Sequence, residues 1–244
     1  MTSPTLLNGL ASESRTHVGT VRKRNEDAVI ARPELGLWAV ADGAGGHGAG
    51  DVASAAVAEA LSVVPPGLSA AELLAQLRLR LAGVNAALQD KAADLGEGRM
   101  VATTVVALLA RNNHYACLWA GDSRAYLLRD GVFVRLTRDH SLVQEMVDRG
   151  DLTEDAADRH PHANIITRAV GGEGPLEMDK VSGRIQHGDL FLLCSDGLFK
   201  ALPEGEVARR LREGCGVTEL IDAALLAGAR DNVSAITVQA LPQD

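Results

Sequence analysis

The sequence from Gly36 to Gly48 reads GLWAVADGAGGHG, and it sets how the chain around it folds. It begins with a short apolar run that ends at Asp42 and is followed by glycines. A run of this length bounded by glycine predicts a buried strand. Asp42 would then lie where a core strand reaches the surface, and Gly43 would let its own carbonyl approach whatever the carboxylate binds. A carboxylate in that position is unfavourable unless it is paired with a donor or a cation.

Other acidic residues stand at the ends of apolar strands in the same way. They are Glu26, Asp27, Asp122, Asp196 and Asp231. Almost no Lys or Arg residue stands beside them in a matching position. Hard carboxylate oxygens gathered without counter-charges are typical of Mg²⁺ or Mn²⁺ sites. The pattern leads to the hypothesis that these acids and Asp42 form a multi-metal carboxylate site.

Composition and charge limit the class of protein. The chain has 244 residues, of which 46% are hydrophobic and 23% charged, as expected for one folded domain with a large core. A net charge of −8, with no basic run longer than three residues, argues against a nucleic-acid or anionic-membrane partner. We expect no membrane span and no signal peptide. Three cysteines at unrelated spacings indicate a reducing compartment, so we expect the protein in the cytoplasm. We also expect it to be a monomer.

The order of predicted elements indicates the architecture. Apolar residues repeat at three and four from Ala49 to Val64, and Ser69 with Glu72 forms a capping box that opens a second helix. Turn pairs at Asn112-Asn113 and Asp130-Gly131 predict hairpins, and therefore antiparallel strands. Helices from about residue 204 to 213 and 218 to 229 precede a final strand. This order predicts an α+β layered sandwich.

The chain is predicted to form a single domain with two less regular parts. Residues 1–13 are polar and patternless, and we expect them to be flexible. Residues 14–244 would form the domain. Within it, residues 138–174 combine a short helix, an acidic segment and several glycines, which predicts an appended, mobile flap.

One motif suggests a different function and can be set aside. Gly43–Gly48 matches G-x-G-x-x-G between a strand and a helix, as in dinucleotide-binding folds. Asp42, however, would place a carboxylate against the pyrophosphate. Residues 62–66 also lack the ribose-binding acid expected about 20 positions on, and the next element is a helix, so no βαβ unit forms.

Six motifs together resemble those of the metal-dependent protein phosphatases, the PPM or type 2C family. They are Val21–Asp27, Asp42–His47, Thr103–Val105, Gly121–Arg124, Ser195–Leu198 and Asp231–Ser234. They occur in the family's order and spacing, from about Ser14 to Ala240. The resemblance implies a four-layer α-β-β-α sandwich, with two mostly antiparallel sheets flanked by helices. It also implies a dinuclear Mn²⁺ or Mg²⁺ centre at one end of the sandwich.

The resemblance assigns the two core ions to four positions. Asp42 would bridge both ions, and the Gly43 carbonyl would bind one of them. Asp196 and Asp231 would complete one ion's ligands. In such a centre the ions neutralise a phosphate dianion and activate a water for in-line attack on phosphorus.

The remaining roles are implied in the same way. Glu26 and Asp27 would support the second core ion, directly or through waters. Asp122 with Asp196 would hold a third, looser ion, as in bacterial relatives. Arg22 would grip the substrate phosphate through bidentate hydrogen bonds.

Each residue also has a purely structural interpretation. The aspartates could cap turns, Asp122 could belong to a turn with a surface ion pair, and Arg22 could lie on a solvated face. Thr103 and Thr104 are interpreted as strand residues near the site. Many eukaryotic relatives carry a proposed acid, a His, where this chain has Ala44; we interpret His47 as bracing the glycine loop or the helix start.

Two functions therefore follow from the sequence. The first is hydrolysis of phosphoserine and phosphothreonine in proteins, opposing a cognate serine/threonine kinase. The second is a catalytically inactive phosphatase fold that serves as a regulatory module. The sequence of Gly36–Asp51 is similar to the corresponding sequence of phosphatases associated with type VI secretion, and this resemblance implies a role in secretion control.

Overall fold

A computed structural model describes residues 5–7, 9–45, 49–96, 98–157 and 160–241. Within these ranges the strands are, in chain order, β1 (Thr5–Leu7), β2 (Leu10–His17), β3 (Asp27–Arg32), β4 (Leu37–Ala44), β5 (Ala102–Thr103), β6 (Val105–Arg111), β7 (His114–Ala120), β8 (Arg124–Arg129), β9 (Val132–Arg135), β10 (Asp179–Arg184), β11 (Leu190–Cys194) and β12 (Val233–Ala240). The helices are α1 (Ala49–Ser62), α2 (Ala70–Leu95), α3 (Leu142–Asp148), α4 (Glu154–Ala157), α5 (Asp196–Ala201), α6 (Glu204–Arg212) and α7 (Val217–Leu226), with a 3₁₀ turn at Pro33–Leu35.

The strands form two sheets. The first sheet has the order β1-β2-β12-β11-β8-β9, and the second has the order β10-β7-β6-β4-β3, with β5 added to β4. Every strand pairing among the described residues is antiparallel. The turns predicted at Asn112 and Asp130 join β6 to β7 and β8 to β9, with positive φ of 51° and 49° at these residues.

Strand β4 shows why the apolar run at residues 37–41 contains no polar residue. Successive side chains point to opposite faces of a strand, and both faces of β4 are covered. Leu37 and Ala39 pack toward α1 and α2, whereas Trp38 and Val40 pack between the two sheets. The predicted buried strand is confirmed.

Helices cover the outer face of each sheet. Helix α2 begins at the predicted capping box, where the Ser69 side chain accepts a hydrogen bond from the Glu72 amide. Apolar faces of α1 and α2 pack on the second sheet, and those of α5, α6 and α7 pack on the first. The predicted four-layer α-β-β-α sandwich is confirmed. None of the helices in the described ranges is both long and apolar enough to cross a bilayer.

The predicted flexible start at residues 1–13 is wrong for the part that the structure describes. Residues Leu10 to Glu13 belong to β2 and pair with Thr237 to Ala240 of β12, and Leu10 is buried between the sheets. The alternating polar residues of this segment hid its strand character, because one face of β2 is more exposed than the other. Residues 1–4 and 8 lie outside the described residues.

The predicted flap, residues 138–174, contains α3 and α4 and is attached to the body at several points. The His140 amide donates to the Gly121 carbonyl, and the Gly121 amide donates to Nδ1 of His140 at 3.2 Å. A β-bridge joins Thr103 to Val170 at the other end of the segment. The mobility of the flap remains a prediction.

Candidate active site

The antiparallel topology brings the predicted acids to one end of the sandwich. Asp231 precedes β12 and Asp196 follows β11; because these strands are antiparallel neighbours, both residues lie at the same end of the first sheet. Asp122 lies between β7 and β8, where the chain crosses from the second sheet to the first. This crossing places an acid from the second sheet beside the two from the first.

Two further acids face each other across neighbouring strands of the second sheet. Asp27 of β3 and Asp42 of β4 are direct partners in the strand register. Residues directly opposite in an antiparallel pair have Cβ atoms about 5 Å apart on the same face, and like charges there repel. Without a cation between them, this pair would destabilise the sheet.

The pKa shifts show that charges from both sheets act on the same carboxylates. Burial raises the pKa of Asp42 well above its usual range, and the charges of Asp27, Asp196, Asp122 and Asp231 raise it further. All five aspartates therefore share one electrostatic environment, although they come from both sheets. The structure brings them together, as the sequence predicted, but this does not by itself test their role as ligands.

Three of the individual shifts have identifiable causes. Burial and the charge of Asp196 raise the pKa of Asp122 to about 7. Burial raises the pKa of Asp27 to about 6, although hydrogen bonds from Ser234 and Ser195 lower it. Burial and the charge of Asp51 raise the pKa of Glu26. Raised carboxylate pKa values mark oxygens that lack sufficient positive charge around them.

Side-chain hydrogen bonds hold the acids in place. Ser195 Oγ donates to Asp27 Oδ2 at 2.8 Å, and it accepts from the Ser234 amide at 3.0 Å, so it joins the two sheets. The Asp42 amide donates to Thr104 Oγ1, which lies 2.7 Å from Ser123 Oγ. Thr104 is therefore a strand-end residue in contact with the site.

Asn232 fastens the segment before β3 to the start of β12. Its Oδ1 accepts from the Glu26 amide at 2.7 Å, and its Nδ2 donates to the carbonyls of Val18 and Arg24. Asn232 was quoted in a motif but assigned no role from sequence. Its place directly after Asp231 could have indicated this role, because the side-chain amide of an Asn can form hydrogen bonds with the backbone of a turn.

Gly43 lies where the backbone of β4 meets helix α1. A Cβ at Gly43 would fall 2.0 Å from the Gly50 carbonyl oxygen and 2.6 Å from that of Glu26. The Gly43 amide donates to that same Glu26 carbonyl. Only glycine permits this approach, so the backbone beside Asp42 is fixed by contact with two other segments.

Arg124 supports the turn that carries Asp122. Its guanidinium pairs with Asp139 at 2.7 Å, with both side chains about one-tenth exposed, and also contacts Glu204 and the Phe199 ring. The sequence left open that Asp122 belongs to a turn with a surface ion pair. Arg124 instead forms a buried ion pair with Asp139, and its contacts tie β8 to the start of the flap and to α5 and α6.

The expectation that the acids have almost no counter-charges is wrong. Arg22 Nη2 lies 2.7 Å from Asp231 Oδ2, and Lys200 Nζ lies 2.5 Å from Asp196 Oδ2. Lys200 stands one helical turn after Asp196, but helix α5 was not predicted, so this (i, i+4) relation was missed. Across the described ranges, no group of three or more His, Cys, Asp or Glu side chains is arranged to hold a metal ion directly.

The donor set nevertheless fits divalent cations. Two cationic side chains face five aspartates and Glu26, and Asp27 Oδ1 is buried without a hydrogen-bond partner. Hard oxygen donors in this number are what Mg²⁺ and Mn²⁺ require. His47, interpreted above as bracing the glycine loop, lies outside the described residues.

Fold and site together define a class: an α-β-β-α sandwich with acids from both sheets gathered at one end, as in the metal-dependent phosphatases. The chain belongs to the protein phosphatase 2C family, whose sequence model matches residues 15–224. The predicted family is confirmed.

Named relatives come from several bacteria. The chain is 35% identical over 239 residues to the serine/threonine phosphatase stp of Listeria monocytogenes, covering 93% of this chain and 95% of the relative. It is also 35% identical over 234 residues to the serine/threonine protein phosphatase PstP of Mycobacterium tuberculosis, covering 95% of this chain. The chain spans only 45% of the length of PstP.

Solved structures share the fold. PppA, described as a key regulatory component of the type VI secretion system in Pseudomonas aeruginosa, superposes with a TM-score of 0.87 at 42% identity, covering 95% of this chain and 98% of PppA. The PstP catalytic domain in complex with two manganese ions gives a TM-score of 0.80 at 35% identity, covering 96% and 99%.

Proposed function

We propose that this chain hydrolyses phosphoserine and phosphothreonine in proteins with the help of divalent cations. One observation carries the proposal: five aspartates from both sheets converge, and the charges of the other four raise the pKa of Asp42. Such a cluster is unfavourable unless positive charge is supplied. Family membership and the manganese complex of PstP give independent support.

The proposed ligands are those that the resemblance implied. Asp42, the Gly43 carbonyl, Asp196 and Asp231 would hold two core ions, Mn²⁺ or Mg²⁺. Glu26 and Asp27 would support them, and Asp122 with Asp196 would offer a weaker third position. When bound, the ions would neutralise the phosphate dianion and lower the pKa of a water that attacks phosphorus.

Arg22 is proposed to orient the phosphate group of the substrate. Its side chain is 56% exposed and reaches the carboxylate end of the sandwich, where Nη2 bonds Asp231. Within the described residues no partner is found for its other nitrogens. The guanidinium thus retains donors for the planar, bidentate contact that phosphate oxygens favour.

The inactive regulatory module is kept as a second candidate because one observation favours it. Arg22 and Lys200 already neutralise two of the acids, and no described group of acids is arranged to hold an ion directly. In an inactive module, these ion pairs would be the permanent state of the site.

Hydrolysis of p-nitrophenyl phosphate with Mn²⁺ distinguishes the two candidates. We expect activity that EDTA removes and that Asp42→Asn lowers by about a thousandfold, or about 4 kcal/mol in activation free energy. Asp90→Asn on the exposed face of α2 is the matched control and should leave the rate unchanged. A folded wild-type protein without activity at millimolar Mn²⁺ would instead support the regulatory module.

We further propose that the protein is a monomer in the cytoplasm and that it opposes a serine/threonine kinase. The three cysteines are free, which suits a reducing compartment. Similarity to PppA supports a role in type VI secretion control. Comparison of the phosphoproteome with and without the gene would identify the substrates. Unchanged phosphorylation of secretion components in that comparison would contradict the role in type VI secretion control.

A further inference from the structure

Lys200 occupies a special position beside the carboxylates. Asp196 opens helix α5 and Lys200 follows one turn later on the same face. The Lys200 ammonium bonds Asp196 Oδ2 and, at 2.7 Å, Asn164 Oδ1. It therefore joins an acid of the active site to the flap, 36 positions earlier in the chain.

The ammonium also acts on the acid proposed for the third ion. Lys200 lowers the pKa of Asp122, which burial and Asp196 raise. In return, although burial lowers it, the pKa of Lys200 is raised by Asp196, Asp122 and Asp42. The positive charge of Lys200 thus contacts Asp196 directly and also acts electrostatically on Asp122, the other acid that a third divalent ion would need.

The position of the Lys200–Asp196 ion pair would allow a divalent ion to replace the ammonium. The Lys200 side chain is 42% exposed, whereas that of Asp196 is 14% exposed, so Lys200 remains accessible to solvent while it pairs with a more buried acid. A lysine carries its charge on a flexible four-carbon stem and can leave a partner without moving the backbone. A divalent ion arriving between Asp122 and Asp196 would have to displace or repel this charge.

We propose that Lys200 is a tethered cation that takes the place of a third divalent ion between Asp196 and Asp122, and that it links this position to the flap through Asn164. Lys200 is a positioning residue in this view, and the inference rests on the proposed metal-dependent function. The enzyme would then work with two ions, and the flap would be held against the site by a protein charge instead of by a metal.

The test is to count bound Mn²⁺ by equilibrium dialysis with elemental analysis, using the full chain. We expect two ions on the wild type, and a third on Lys200→Met with an affinity at least about tenfold higher than any third ion on the wild type. Met keeps the length and apolar stem of the side chain while removing its charge. Lys91→Met on the exposed face of α2 is the matched control and should bind two ions.

A second readout follows the flap. Amide hydrogen exchange in residues 160–170 should accelerate in metal-free Lys200→Met and in Asn164→Ala, but not in Lys91→Met. Because Asn164 lies outside the carboxylate cluster, its variant should still bind two ions. The Asn164→Ala variant therefore tests the link to the flap even if Lys200→Met folds poorly. In that case Lys200→Gln replaces Lys200→Met in the dialysis experiment.

The outcomes separate the inference from the proposed function. Two ions on both the wild type and Lys200→Met, or a third ion of equal affinity on both, would overturn the role of Lys200 and leave the metal-dependent function standing. No bound ion on a folded wild type would remove the proposed function itself. Unchanged exchange in residues 160–170 in both variants would overturn the link to the flap.

Discussion

At the scale of single residues, three aspartates of the site hold protons unusually tightly. Burial and mutual repulsion raise the pKa of Asp27 to about 6, that of Asp122 to about 7, and that of Asp42 well above its usual range. Each is a hard oxygen ligand only when deprotonated. Divalent cations must therefore compete with protons for these carboxylates at neutral pH. Ordinary surface carboxylates have already lost their protons at this pH.

This competition predicts a pH dependence with a definite sign. Below its raised pKa each acid is protonated and must release a proton to bind an ion, so Mn²⁺ affinity should rise from about pH 5 to about pH 8 and then level off. Calorimetry in two buffers of different ionisation enthalpy should detect proton release upon binding. Asp27→Asn should remove the part of this dependence near pH 6. Constant affinity without proton release would contradict the shifts.

At the scale of elements, the sequence predicted what local patterns determine. The hairpins at Asn112 and Asp130, the capping box at Ser69 and the buried strand β4 depend on neighbours in the chain, and all are confirmed. Helix α5 was missed, and so was the start of strand β2, which lies in the segment predicted to be flexible. The start of β2 and α5 are hard to predict for different reasons. The first depends on pairing with β12 at the opposite end of the chain, and the second contains only six residues.

Gly43→Ala tests how tightly the elements around the site are joined. The added Cβ would overlap the Gly50 carbonyl at 2.0 Å, so β4 and α1 would have to separate. We expect the free energy of unfolding to fall by about 2–3 kcal/mol, measured by urea denaturation.

Gly83→Ala is the matched control for this change. A Cβ at Gly83, inside α2, meets nothing within 4 Å, and alanine favours the helix by about 0.5–1 kcal/mol. The control should therefore be neutral or stabilising. A Gly43→Ala protein as stable as the wild type would show that the approach of β4 to α1 is not required.

At the scale of the whole molecule, the acids meet because two sheets pack face to face and share one end. The sequence predicted this convergence for Glu26 and the five aspartates from their places at strand ends and from the family motifs. It also placed Arg22 at this end as a contact for the substrate phosphate, but it did not predict the ion pairs that Arg22 and Lys200 form with the acids. Arg22 meets Asp231, and Lys200 meets Asn164, only after distant segments have packed together, so spacing in the chain carries little information about these pairs.

The proposed function depends on this shared end binding divalent cations. Anomalous diffraction at the manganese edge, from crystals grown with Mn²⁺, would locate such ions. We expect two peaks among Asp42, Asp196 and Asp231, with Arg22 released from Asp231 and Lys200 still beside Asp196. Crystals in which this end of the sandwich shows no anomalous peak, and both ion pairs persist at saturating Mn²⁺, would contradict it.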